Sequence, residues 1–219
     1  MKYRTVIFDL DGTLLDTLDD LVDSVNEYLQ QAGHPQRTRK EIRDFLGYGA
    51  RELVRDALPG PVSPEELDRA LSEYKAVYAK NMDNATKPYD GILEMLEHLR
   101  KAGVRTAVVS NKPDGPVTEL CREMFGDLVE IAAGDQPGYA RKPDPHLVHL
   151  VMEELGAEPS TTLYVGDSEV DVDTARNAGL DGCAVTWGFR DRDMLETKNP
   201  DYLVDTPKEL ESVVLEGHA

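Results

Sequence analysis

Close to the first residue, the run Val6-Ile7-Phe8-Asp9-Leu10-Asp11-Gly12-Thr13 ends an apolar segment in two aspartates one residue apart. Side chains at i and i+2 of a strand share a face, so Asp9 and Asp11 emerge together where the strand stops. In an open α/β sheet the ligand crevice lies at the carboxyl ends of the strands. Two carboxylates crowded there need a cation, a shared proton, or both. A calcium loop of the EF-hand type does not fit. Its glycine belongs at the sixth position, after a helix, whereas Gly12 follows a β-branched, aromatic run.

Three later segments could complete a site. Ala107-Val108-Val109 leads into Ser110-Asn111-Lys112-Pro113. A hydroxyl and free backbone N–H groups at a strand-to-helix junction suit phosphate oxygens. In Arg141-Lys142-Pro143-Asp144-Pro145 the residue before a proline is held on extended backbone, which gives Lys142 a defined direction. It reads either as a fixed cation offsetting the acids or as a surface lysine. Asp167 closes the apolar run Thr162-Leu163-Tyr164-Val165-Gly166, and Asp171 follows in the first turn of a helix. Acids at a helix N-terminus are ordinary dipole partners, which explains Asp171 but not Asp167. Asp9 and Asp167 together offer a hard oxygen site of the kind Mg²⁺ takes with phosphate and water.

These residues need a scaffold. Strand patterns fall at residues 5–8, 105–109, 129–132, 162–165, 183–186 and 202–204, with helical periodicity between them. That alternation predicts an α/β fold, a parallel sheet with helices on both faces. From residue 18 to 84 the pattern is helical only, including the capping box Ser63-Pro64-Glu65-Glu66. We therefore expect a core of residues 1–15 and 87–219 and an inserted all-helical domain at 16–86. Gly47-Tyr48-Gly49 separates two insert helices, where a loop could close over a ligand. Arg51 just beyond it is either a bidentate partner for a substrate carboxylate or an exposed arginine.

Composition narrows the partners. The 219 residues carry 24 basic and 42 acidic side chains, a formal charge of -18, with 40% hydrophobic residues for a core. Such a chain repels nucleic acid and anionic membranes, so an anionic ligand must be attracted by local cations. No apolar stretch approaches the ~20 residues of a membrane span, and the start of the chain leaves no room for a signal peptide. A cytoplasmic protein is expected, monomer or homodimer, acting on a small molecule. Cys121 and Cys183 sit in apolar patterns and read as buried free thiols. Trp187 or Phe189 is a core or loop anchor, or a contact residue.

Taken together, the four segments resemble the haloacid dehalogenase superfamily of aspartate-nucleophile phosphohydrolases. Asp9-Leu10-Asp11-Gly12-Thr13 matches its first motif, Ser110 its second, Lys142 its third and Gly166-Asp167-Ser168-Glu169-Val170-Asp171 its fourth. The insert looks like the family's C1 helical cap on a Rossmann-like core. Val109-Ser110-Asn111-Lys112-Pro113 and the stretch from Leu46 to Val54 look most like phosphoglycolate phosphatases and their relatives. The resemblance implies a small phosphorylated metabolite as substrate and Mg²⁺ held by Asp9, the backbone carbonyl of Asp11, and Asp167. Asp9 would be the nucleophile and Asp11 the general acid and base. Lys142 would offset charge, and Asp171 would support the metal or Lys142. Ser110, Asn111 and Thr13 would serve the phosphoryl group, and Gly47, Tyr48, Gly49 and Arg51 the leaving group. A phosphosugar mutase, a pyrophosphatase or a nucleotide phosphatase would share the core residues. A dehalogenase would lack Asp11, and a Schiff-base phosphonatase would need a lysine in the 47–51 loop. A receiver domain would carry its phospho-acceptor on a later strand, and an inactive binding module would have lost one of the four charged residues.

Overall fold

The computed structural model describes residues 1–218. In chain order the elements are β1 (Thr5–Phe8), β2 (Leu15–Asp16), α1 (Leu18–Gln31), α2 (Arg39–Phe45), α3 (Ala50–Ala57), α4 (Pro64–Asn81), β3 (Lys87–Pro88), α5 (Ile92–Lys101), β4 (Arg105–Pro113) and α6 (Asp114–Phe125). There follow β5 (Ile131–Asp135), α7 (His146–Leu155), β6 (Thr162–Gly166), α8 (Glu169–Ala178), β7 (Asp181–Val185), α9 (Arg192–Thr197), β8 (Tyr202–Val204) and α10 (Pro207–Glu216). Six strands form one parallel sheet in the order β5-β4-β1-β6-β7-β8. This is the Rossmann-like α/β sheet expected from the alternation of patterns.

Strand parity sorts the core. Val6 and Phe8 pack with α5, α6 and α10 on one face, while Ile7 packs with α7 and α8 on the other. Because β1 lies between β4 and β6, its carboxyl end is flanked by the ends of both neighbours. That placement makes β1 the natural origin of a site.

Three strand boundaries differ from the sequence patterns. β4 continues four residues beyond Val109 to Pro113, with a register irregularity between those two residues. Gly134 on β5 lets this irregular stretch approach, since a Cβ there would stand 2.6 Å from the Lys112 carbonyl oxygen. β5 starts at Ile131 and β7 at Asp181, each shifted by two residues from the apolar runs. Both cysteines are buried and free, and burial pushes the Cys121 thiol up to about 12. Among the described residues no helix is long and apolar enough to cross a membrane.

Helices α1–α4 form a bundle with its own apolar core, which includes Leu21, Tyr28, Ile42, Leu53, Tyr74 and Val77. Phe189, from the loop after β7, is buried in that same core, so it anchors the bundle to the sheet. The chain passes between the two through a ribbon in which β2 pairs antiparallel with β3. The ribbon was not visible in sequence, since two-residue strands have no periodicity. Asp20, in the first turn of α1, is 1% exposed and accepts from the N–H groups of Ala85 and Thr86 at 2.8–3.0 Å. One carboxylate thus ties the insert's entrance to its exit. Asp20→Ala should cost about 1–3 kcal/mol by leaving these N–H groups unpaired, read as a lowered urea midpoint. An unchanged midpoint would remove the clasp from this account.

Candidate active site

Asp9 continues β1, its N–H donating to Val165 O at 2.8 Å. Its Oδ1 accepts from Leu10 N at 2.7 Å and lies 3.0 Å from Lys142 Nζ. The ammonium also donates to Tyr164 Oη at 3.0 Å and to Asp171 Oδ1 at 2.8 Å. Burial lowers the Lys142 pKa, but Asp171 and Asp9 more than offset this and hold it well above the usual lysine value. Lys142 is therefore a buried fixed cation, not a surface lysine. Asp171 is 2% exposed, and its Oδ2 accepts from the N–H and hydroxyl of Ser168. It caps α8 and orients Lys142 at once.

Asp167 is 1% exposed and stands opposite. Its Oδ1 accepts from Thr13 Oγ1 at 3.2 Å and its Oδ2 from Phe189 N at 2.7 Å. Gly12 holds the turn after Asp11 at φ 81°, and any side chain there would overlap the Asp167 carboxylate. Carboxylate oxygens of Asp9, Asp167 and Asp171 all lie within 4.8 Å of one another. Burial, with Asp171 and Asp9 adding, pushes Asp167 well above the carboxylate range. Burial also raises Asp9 to about 6; Lys142 opposes that shift, and Asp171 and Asp11 reinforce it. An all-oxygen set that is costly as free anions suits a hard divalent cation. Asp171 meets the Lys142 ammonium and caps α8 with its two oxygens, Asp167 accepts only from the neutral Thr13 hydroxyl and Phe189 N–H, and Asp9 keeps Oδ2 unengaged among the described residues, so Asp9 and Asp167 retain acceptor capacity for a metal.

Ser110, 3% exposed, lines the cavity in front of Asp9. The Asn111 side chain is engaged elsewhere: it accepts from Lys142 N at 2.9 Å and donates to Lys142 O at 3.1 Å and Gly47 O at 3.0 Å. It fixes the lysine's backbone and the insert's loop. Thr13 is fully buried, and its hydroxyl donates to Asp167.

A residue of this cavity that the sequence patterns did not single out is Lys112. Its Nζ lies 2.8 and 3.1 Å from the two carboxylate oxygens of Asp11. Two residues beyond Ser110 on β4, it lines the same cavity, so extending strand parity past Val109 was the signal that could have found it.

The insert roofs this group, leaving a cavity of about 70 Å³. Gly47 and Gly49 line it, but Tyr48 is 45% exposed and donates to Glu169 at 3.1 Å instead. Arg51 pairs with Asp68 of α4 and is not part of the cavity wall. Cations reach the wall from Lys75, Lys112 and Arg190. Arg190 pairs with Glu169 at 2.8 Å and donates to Leu46 O at 2.7 Å, and Arg141 reaches Glu52 of α3 at 2.8 Å. The insert is thus docked by several polar ties as well as by Phe189.

Comparison with known proteins agrees with this arrangement. Residues 6–185 match the model of the haloacid dehalogenase-like hydrolases. A phosphoglycolate phosphatase of Pseudomonas putida is 35% identical over 208 residues, covering 92% of this chain and 76% of the relative. An N-acetylmuramic acid 6-phosphate phosphatase of Pseudomonas aeruginosa is 31% identical over 98% of this chain and 96% of its own length. The crystal structure of a provisionally assigned phosphoglycolate phosphatase from Lactobacillus delbrueckii subsp. bulgaricus superposes with a TM-score of 0.92 at 36% identity, covering 99% of this chain and 100% of that one. The match over residues 6–185 and the identity to these relatives along nearly the whole length show that this chain belongs to the haloacid dehalogenase-like hydrolase family.

Proposed function

We propose that this enzyme is a Mg²⁺-dependent phosphatase that hydrolyses a small phosphorylated acid, phosphoglycolate foremost, through an aspartyl-phosphate on Asp9. The observation that carries this reading is the convergence of Asp9, Asp11 and Asp167 on one roofed cavity, with the Lys142 ammonium bound to Asp9 behind it.

Asp9 Oδ1 is held by Leu10 N and Lys142, while Oδ2 accepts no hydrogen bond among the described residues and is the free nucleophile. It attacks phosphorus as the ester P–O bond breaks, and Asp11 gives its proton to the departing oxygen. A water then attacks the same phosphorus, its proton passes to Asp11, and phosphate leaves with the Asp9 carboxylate restored. Lys142 and the Ser110 hydroxyl stabilise charge on the phosphoryl oxygens. Mg²⁺ held by Asp9, Asp167 and the Asp11 carbonyl would supply further charge neutralisation. The helical insert serves as the cap that excludes water.

Cavity size favours a short substrate. The roof leaves a cavity of about 70 Å³ in front of Asp9 and Asp11, which makes a two-carbon phosphorylated acid the first substrate to test. A screen of phosphate release should show Mg²⁺-dependent hydrolysis of 2-phosphoglycolate. In Asp9→Asn the rate should fall at least about a thousandfold, and activity surviving that substitution would refute the mechanism.

Metal binding has a separate readout. Asp9 and Asp167 are raised in the metal-free fold, so the native state holds protons that the unfolded chain releases. Their contribution to stability is present at low pH and is lost as pH rises, for Asp9 through about 6. A divalent cation removes that penalty. At a hundredfold excess over Kd it adds about 2.7 kcal/mol, or roughly 5–10 °C in a chain of this size. The Mg²⁺-induced rise in Tm should therefore be larger at pH 7.5 than at pH 5, and absent in Asp167→Asn. Equal shifts at both pH values would contradict the assignment.

A further inference from the structure

The insert's share of the cavity wall is mainly apolar, supplied by Leu21, Leu53 and Tyr74. Tyr78 on α4 departs from this. It is 5% exposed and lines the cavity, yet its hydroxyl has no hydrogen-bond partner among the described residues. Buried polar groups are almost always paired, so an unpaired hydroxyl in a cavity wall points to a ligand that completes it. Lys112 Nζ lies 4.6 Å from the centre of the same ring. That lysine's side chain is 4% exposed, and Asp11 takes two of its three donors at most. The third donor of this ammonium therefore faces the Tyr78 hydroxyl, and the two stand side by side in the cavity wall, where a ligand oxygen could engage both.

Their position relative to the reacting atoms defines what they can hold. Asp11 must reach the leaving oxygen of the substrate in order to protonate it. A group in hydrogen-bond contact with Asp11 is then within reach of a substituent one carbon beyond that oxygen. In a two-carbon phosphorylated acid that substituent is the carboxylate.

We propose that Lys112 and Tyr78 form the specificity subsite of this enzyme, an ammonium and a hydroxyl that together bind a carboxylate carried on the carbon next to the phosphoester oxygen. This rests on the phosphatase reading above and names the determinant of its substrate class. It takes the place of Arg51, whose guanidinium is committed to Asp68. Lys112 comes from the sheet and Tyr78 from the insert, so only the docked arrangement assembles the subsite.

The test compares 2-phosphoglycolate with ethyl phosphate, which keeps the two-carbon skeleton and lacks the carboxylate. The readout is the ratio of their kcat/KM values in the full-length protein, in Lys112→Met, Lys112→Arg and Tyr78→Phe. The unaltered enzyme should favour phosphoglycolate strongly. Lys112→Met should shrink the ratio by roughly 10- to 100-fold, as expected for a lost charge-assisted contact, and Tyr78→Phe by roughly 2- to 10-fold. Lys112→Arg should recover part of the preference. A ratio unchanged in Lys112→Met overturns the subsite, whatever happens to the absolute rates. If that variant does not fold, an unchanged ratio in Tyr78→Phe does so. Asp9-dependent hydrolysis without preference for phosphoglycolate sinks the subsite and leaves the phosphatase standing, whereas hydrolysis of neither ester sinks both.

Discussion

Carboxylate oxygens from three buried aspartates lie within 4.8 Å of each other, with a single ammonium among them. At an effective dielectric of about 20, like charges at that separation repel by roughly 3–4 kcal/mol per pair. Lys142 cancels one of three negative charges, which leaves a deficit matching a divalent cation. Geometry serves that balance elsewhere too. Gly12 leaves room for the Asp167 carboxylate, and Gly166 leaves room for that of Asp171. A methyl group at either position would force apart charges whose closeness is the basis of the site.

The insert is coupled to this balance and does not merely lie over it. Asn111 accepts from Lys142 N and donates both to Lys142 O and to Gly47 O. One amide therefore fixes the lysine's backbone and senses whether the insert's loop is docked. Arg190 does similar work on the other side, joining Leu46 O to Glu169 at the start of α8, two residues from Asp171. Docking and lysine placement are parts of one hydrogen-bond network. Such shared networks respond to a single deletion by more than a pairwise count suggests.

Which parts of this were legible in sequence follows from the range of the interactions involved. Asp9 and Asp167 stood out because each ends a short apolar strand, a local pattern that parity alone interprets. Lys142 was legible only as an option, since its partner Asp171 is far off in sequence and was also explicable as a helix-dipole acid. Lys112 was missed because β4 passes through an irregularity after Val109, which disguised four further strand residues as a turn. Arg51 lies off the cavity wall for a geometric reason. Ala50 and Leu53 share the α3 face that lines the cavity, whereas Arg51 is about 100° round the helix from Ala50 and meets α4. Nothing in a two-residue ribbon or in the pairing of Asp20 with Ala85 and Thr86 leaves a periodic trace.

Net charge adds a last constraint. A chain of formal charge -18 repels anionic ligands at long range, so recognition of one must be short-range. Yet the cavity is not a preformed positive hole. Lys112 is matched by Asp11, Arg190 by Glu169 and Lys142 by Asp9 and Asp171, and only the exposed Lys75 reaches the wall without an acidic partner among the described residues. An anion entering must share or exchange partners with acids already in place, so generic anions gain little. The gain is reserved for a ligand that meets several of these cations at once beneath a low-dielectric roof of Leu21, Leu53 and Tyr74. Selectivity in an acidic protein therefore comes from the spacing between matched pairs and not from an excess of positive charge.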